Sequence, residues 1–455
     1  MSVLSGLARF VRRGGVKAPP VGWRALQGTG CTSAQLEREG GPLVLVKGRR
    51  PYVWDEQGRR YIDGLSGQFA VSIGYGRTAV VRAVARQLRQ LTYAPLDWRA
   101  HPPAIELADK LLALAPGMKK VFFCSGGSEA VDTAIKLARL AGSRSSANKK
   151  TILYRQGSCH GATLGATSVT GLADLREPFG PLLGGVHQVC QPDCRRCPLN
   201  LAYPECNAAC AHEIEEAILG EGPDKVAALI AEPIAVGTRV VAPPPEYWPA
   251  VRELCDRHRV LWIADEVLTG IGRTGRWLAC EHWNVQPDLI VLAKGLSGGF
   301  APLGAVLIGE KVAAALEDVL FQHGYTFGGH PAACAAALEV LRMIESDKLL
   351  ERAQASGRVL GAELAKAAQA APFASVQGFG MLWSVLADLQ NGRREALAKR
   401  LREKGLLCMV EEDGLTLAPP LICKEADVLR IAKIVAEGFE WLKNRAEPGA
   451  PEKAG

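Results

Sequence analysis

The chain has 455 residues, 48% of them hydrophobic, with a net charge of +7. That length exceeds what one simple core holds, so two domains are expected; no apolar run reaches the roughly 20 residues a membrane helix needs, so no membrane contact is. Five of the seven net positive charges precede the first acid, Glu37, which leaves the rest near neutral and argues against a nucleic-acid partner.

That basic stretch, residues 1–36, has Leu4, Leu7, Phe10 and Val11 at helical spacing beside Arg9, Arg12 and Arg13. An amphipathic, Arg-rich, acid-free start has the composition of a mitochondrial transit peptide. The alternative is a basic arm at the front of a cytoplasmic enzyme. Arginines interrupt the apolar positions, which excludes a secretory signal.

Residues 51–63 predict a hairpin, two β-rich runs around a polar turn at Gly58. A glycine-rich loop follows over 64–76, then helices over 79–91 and 104–115. The predicted strand 120–124 runs into Ser125-Gly-Gly-Ser-Glu129 and a helix that continues to Arg139. Strand, glycine turn and helix start make a phosphate cradle, because glycine lets the backbone approach and the helix start supplies free N–H groups and partial positive charge. The same residues also suit a capping box that does no more than start a helix. The strand 151–154 leads to Ser158-Cys159-His160-Gly161.

Cys194, Cys197, Cys206 and Cys210 follow a C-x2-C-x8-C-x3-C spacing compatible with structural zinc. Cys206 and Cys210, however, sit at helical spacing on a predicted helix 206–219, so packing or redox sensitivity is the expectation and no metal is assigned. The thirteen cysteines are scattered and odd in number, which does not make a disulfide framework. Residues 226–231 predict a strand ending in Glu232-Pro233, and 246–258 an amphipathic helix. Gly272-Arg-Thr-Gly275 forms a tight turn, with Arg273 expected in an ion pair. A strand over 304–308 and a helix from Pro331 to about 346 come next, proline taking the first helical position. Beyond 347, helices alternate with strands at 374–376, 382–387 and 415–417, and a polar tail over 444–455 is expected to be disordered.

Two further apolar runs, 260–264 and 289–293, predict buried parallel strands. The first ends in Asp265 and the second in Lys294. Ligands of open α/β sheets gather at the carboxyl ends of strands. An amine and a carboxylate presented there are what pyridoxal phosphate (PLP) chemistry needs: the lysine bonds the cofactor aldehyde, and the acid keeps the pyridine nitrogen protonated. Either residue alone is more often an ordinary polar side chain; the pair carries the reading.

The runs D-E-V-L-T-G-I-G-R-T-G from Asp265, A-K-G-L-S-G-G from Ala293 and T-F-G-G-H-P from Thr326 resemble the class III aminotransferases, the omega branch of fold type I PLP enzymes. The likeness spans roughly residues 40–440. The C-R-R-C-P-L-N-L-A-Y-P-E-C segment is similar to the taurine–pyruvate branch. The resemblance implies an α/β fold: a mostly parallel large-domain sheet, with a smaller α+β domain built from both chain ends. It divides the chain into 37–78, 79–330 and 331–443. It implies Lys294 and Asp265 as catalytic; Gly127, Ser128, Cys159, His160 and Val267 at the cofactor; and Leu65, Phe69 and Glu232 toward the substrate, with residues 235–237 lining the pocket. Thr326 would reach the phosphate of a neighbouring subunit, making a homodimer with shared sites.

The implied reaction moves an amino group from an amine or amino acid to a small 2-oxo acid such as pyruvate, glyoxylate or 2-oxoglutarate, in ping-pong order. A PLP-dependent lyase or decarboxylase is the alternative on this scaffold. Two departures stand out. Cys159 occupies the place of an aromatic ring, and no arginine precedes Pro419-Pro420-Leu421 to bind an α-carboxylate.

Overall fold

The computed structural model describes residues 32–38, 41–237, 239–370 and 375–444. Most of the stretch with transit-peptide composition, and all but the first residue of the predicted tail, lie outside the described residues.

Seven strands form the central sheet in the order Met118–Cys124, Gly304–Gly309, Leu289–Leu292, Leu261–Asp265, Val226–Ala231, Thr151–Arg155, Val186–Val189. Gly304–Gly309 runs antiparallel to both neighbours, and every other pairing is parallel. Val226–Ala231, Leu289–Leu292 and Gly304–Gly309 are buried along their whole length. Unbroken apolar strands fit a sheet covered on both faces. Alternation assigns the faces: Ile263 packs with Ala130, Val131 and Ala134 of the helix Gly127–Ser145, whereas Trp262 and Ala264 join Trp248 and Val251 of the helix Tyr247–Arg257 on the other side.

Both chain ends build the smaller part. Leu45–Arg49, Tyr52–Asp55 and Arg60–Asp63 form an antiparallel meander, and Leu406–Leu407 joins it in parallel with Leu406 opposite Ile62. A second antiparallel sheet has the order Ser375–Phe379, Leu382–Leu386, Gly414–Leu417, Met409–Glu411.

The predicted loop 64–76 is irregular, with left-handed backbone at Ser66, Gly67 and Phe69. Two local expectations change. The helix predicted from Cys206 begins at Ala209, because Asn207 and Ala208 take left-handed backbone with φ of +49° and +53°. Arg273 forms no ion pair among the described residues. It is buried, and its guanidinium donates to the carbonyls of Pro419 (2.6 Å) and Met381 (3.4 Å) and to Ser66 Oγ (3.2 Å). Burial pushes its pKa down to about 10.

Trp248 ties this frame to the site. It is fully buried, stacked on Trp262 with centroids 4.5 Å apart, and its indole N–H donates to the Pro233 carbonyl at 2.9 Å. Trp248→Ala is expected to cost about 3–5 kcal/mol, measured as a lower thermal midpoint; an unchanged midpoint would contradict this packing.

Candidate active site

Leu261–Asp265 and Leu289–Leu292 are adjacent and parallel, with Asp265 opposite Val291. Parallel register therefore delivers Asp265 and, just past the second strand, Lys294 to the same edge of the sheet. Both line one cavity of about 600 Å³, along with Phe69, Gly127, Ser128, Cys159, His160, Glu232 and Val267. Val236 and Gly237 line it too.

Asp265 is 4% exposed. Its Oδ2 lies 2.6 Å from His160 Nδ1, and its Oδ1 accepts the Val267 N–H at 3.0 Å. The His160 ring is buried, and its backbone N–H donates to Thr170 Oγ1 at 3.0 Å, which ties down the loop that carries it. Lys294 has left-handed backbone, φ +42°, and its Nζ stands 5.4 Å from the centre of the Phe69 ring. Phe69 is itself at φ +63°. Such conformations cost about 1–3 kcal/mol each in a non-glycine residue, and here both aim side chains into the cavity. Burial lowers the Lys294 pKa, against the opposing pull of Asp265, Cys159 and Glu232.

The helix Gly127–Ser145 starts at the same cavity, beside Val267 and Ala293. Its N-cap is Gly126, which brings no side chain to its first-turn N–H groups. The capping box does not form: Glu129 Oε2 accepts the N–H of Ser125, one residue ahead of the N-cap, at 2.7 Å. A Cβ at position 127 would stand 3.1 Å from Val267 Cγ1, so glycine keeps this wall open. Ser128 Oγ accepts the Ala162 N–H at 3.0 Å, which leaves its hydroxyl proton to donate. Uncapped N–H groups facing a cavity are an anion site. An anion cradle, an amine and a buried carboxylate around one cavity fit the phosphate, aldehyde and ring nitrogen of PLP.

Two predicted residues are elsewhere. Leu65 does not line the cavity; the chain reverses at Gly67 (φ +68°), and Leu65 packs against the apolar cluster that includes Phe69, Ile234 and Val236. Thr326 also lies off it, where its carbonyl accepts from the Tyr93 hydroxyl at 2.8 Å.

Glu232 is more engaged than the sequence suggests. Its Oε1 accepts the Cys159 N–H at 3.2 Å, and its Oε2 pairs with Arg155 Nη2 at 3.3 Å. Arg155 is fully buried, donates also to the Glu232 carbonyl, and lies over the Trp248 ring. Sequence reading missed it, although a charge directly continuing the apolar run of Thr151–Arg155 was the available signal. Burial and the Glu232 charge raise the Cys159 thiol. Cys194, Cys197, Cys206 and Cys210 line a separate small cavity, and among the described residues no group of three such side chains is placed to hold a metal.

Residues 35–438 match the class III aminotransferase family. The putrescine–pyruvate aminotransferase of Pseudomonas aeruginosa is 32% identical over 408 residues, 86% of this chain and 89% of that protein. The taurine–pyruvate aminotransferase of Bilophila wadsworthia is 33% identical over 431 residues, 89% of this chain and 93% of that one. Among solved structures, the omega transaminase of Pseudomonas jessenii in complex with PMP superposes with a TM-score of 0.90 at 33% identity, covering 95% of this chain and 100% of that one.

Asp265→Asn keeps the shape of the side chain and removes its charge. It is expected to lower kcat/KM by about 10²- to 10³-fold in steady-state assay; a loss below tenfold would remove Asp265 from the chemistry.

Proposed function

The chain belongs to the class III aminotransferases, and from that premise we propose that its donor is a terminal amine with no carboxylate on the reacting carbon, its acceptor a small 2-oxo acid such as pyruvate. The chain is a PLP-dependent transaminase. The observation behind the donor class is the cavity's charge: its described lining holds no arginine, its one lysine is Lys294, and the His160 ring faces Asp265. The place just ahead of Leu-Ala-Pro-Pro-Leu holds Thr416, buried and paired with Ser384 Oγ at 3.0 Å. An α-carboxylate on the donor would enter with no fixed guanidinium to meet it.

PLP, when bound, supplies an aldehyde for the amine and a ring that spreads the electron pair left when the adjacent carbon loses its proton. Lys294 Nζ, with a pKa lowered by burial, is placed to take that proton from the donor carbon and return it to the cofactor's aldehyde carbon, on the far side of the nitrogen between them. Asp265 Oδ, held by His160, keeps the ring nitrogen's proton in place. The first-turn N–H groups at Gly127 and Ser128, with the Ser128 hydroxyl, would hold the phosphate, and Val267 and Cys159 on the cavity walls would flank the ring.

We also infer a homodimer in which Thr326 serves the phosphate site of a second copy. What supports it is the surface beside Thr326, where Phe327 (61% exposed) and Tyr93 form an uncovered aromatic pair with centroids 6.3 Å apart. Phe327→Asp is expected to leave the protomer folded, shift its mass in light scattering to that of one chain, and release the cofactor. A variant that stays dimeric with cofactor bound would refute the shared site.

The reaction is tested by following the absorbance of the cofactor-bound enzyme as single amines are added without an oxo acid. Terminal amines such as putrescine, taurine or β-alanine are expected to bleach the band at lower concentration than alanine, and pyruvate to restore it. A band that stays put while ammonia or carbon dioxide appears would mean a lyase or decarboxylase instead.

A further inference from the structure

Both oxygens of Glu232 are taken up by the protein, Oε1 by the Cys159 N–H and Oε2 by Arg155. One more group faces it. His160 Nε2 lies 4.0 Å from Glu232 Oε2, buried and without a hydrogen-bond partner, while Nδ1 of the same ring is 2.6 Å from Asp265. A neutral ring donating from Nδ1 would bury a bare lone pair on Nε2 opposite a carboxylate. An imidazolium instead presents an N–H to each of the two acids.

The charged and titratable groups around the ring are Asp265, Glu232, Arg155, Cys159 and Lys294. Burial and Arg155 disfavour the charged ring. The Glu232 charge and the Asp265 hydrogen bond outweigh them, and the net direction is upward.

We infer that Glu232 is a positioning residue rather than a substrate contact: acting through the outer nitrogen of His160, it holds that ring as an imidazolium and thereby fixes the Asp265 carboxylate in the cavity. The inference rests on reading the cavity as the PLP site. It reassigns the acid predicted to meet substrate. Without the Glu232 charge, His160 would change protonation within the working pH range, and the hold on Asp265 would change with it.

The test follows ¹³C-labelled histidine by NMR in the holoenzyme, across pH and without substrate. His160 is one of eight histidines and is assigned by its absence in His160→Gln. In the wild type its ring is expected to stay protonated above the ordinary histidine value of about 6.5. In Glu232→Gln, which keeps an acceptor for the Cys159 N–H, the titration is expected to move down by about 1–3 units. The kcat–pH profile of the same variant should gain an inflection at that pH, with KM for the amine unchanged. Coincident titrations in the two proteins would overturn the inference, as would a raised amine KM with the titration unmoved, the mark of substrate contact. If Glu232→Gln does not fold, the wild-type titration still decides: a ring deprotonated by pH 6.5 sinks the idea. No amine is needed for that reading, so a failure of transamination shows separately, in the absorbance assay.

Discussion

A carboxylate at 4% exposure on the end of an apolar strand loses several kcal/mol of hydration unless partners replace the water, and the residues around Asp265 are those partners. His160 meets one oxygen and the Val267 N–H the other. The His160 ring in turn needs its loop, which Thr170 and Ser158 tie back: Ser158 Oγ donates to the Arg155 carbonyl at 2.7 Å. Removing any member would leave another buried polar group bare, at a cost beyond that of one lost hydrogen bond.

The cost is met from the apolar layer beneath. Arg155, Trp248 and Trp262 form a buried stack under the site, cation over indole and indole over indole. The stack holds Pro233 and, through the backbone, Glu232. Left-handed backbone at Phe69 and Lys294 is strain of the same origin, paid for by the close-packed strands on either side. Rigidity here is chemical: an amine, an acid and a helix start must face one cavity at fixed separations for a proton to move from the donor carbon to the cofactor carbon.

The smaller part of the molecule completes the cavity from a distance in sequence. Met409, from the second antiparallel sheet, lines it along with Phe69 from the N-terminal segment. Arg273 binds these pieces, since its guanidinium reaches Ser66, Met381 and Pro419 at once. A sequence reader expects a carboxylate beside a buried arginine. Three converging backbone and hydroxyl oxygens do the work instead, and no local pattern marks them.

Much of this was legible in order. Apolar runs ending in Asp265 and Lys294, and glycines between a strand and a helix at 126–127, are signals of short range, because strand burial and helix starts follow from neighbouring residues. Leu65 was misplaced because a single reversal at Gly67 decides which side of the turn it takes. Edge strands such as Leu45–Arg49, largely exposed, carry no apolar alternation and escaped notice. By itself the sequence determined six of the seven strands of the large sheet, all but Val186–Val189, together with the amine–acid pair and the family. Tertiary structure alone decided that Glu232 turns toward Arg155 and the Cys159 N–H, since residues from two segments far apart in sequence, 155–160 and 232, had to be brought within a few ångströms before their charges could choose partners.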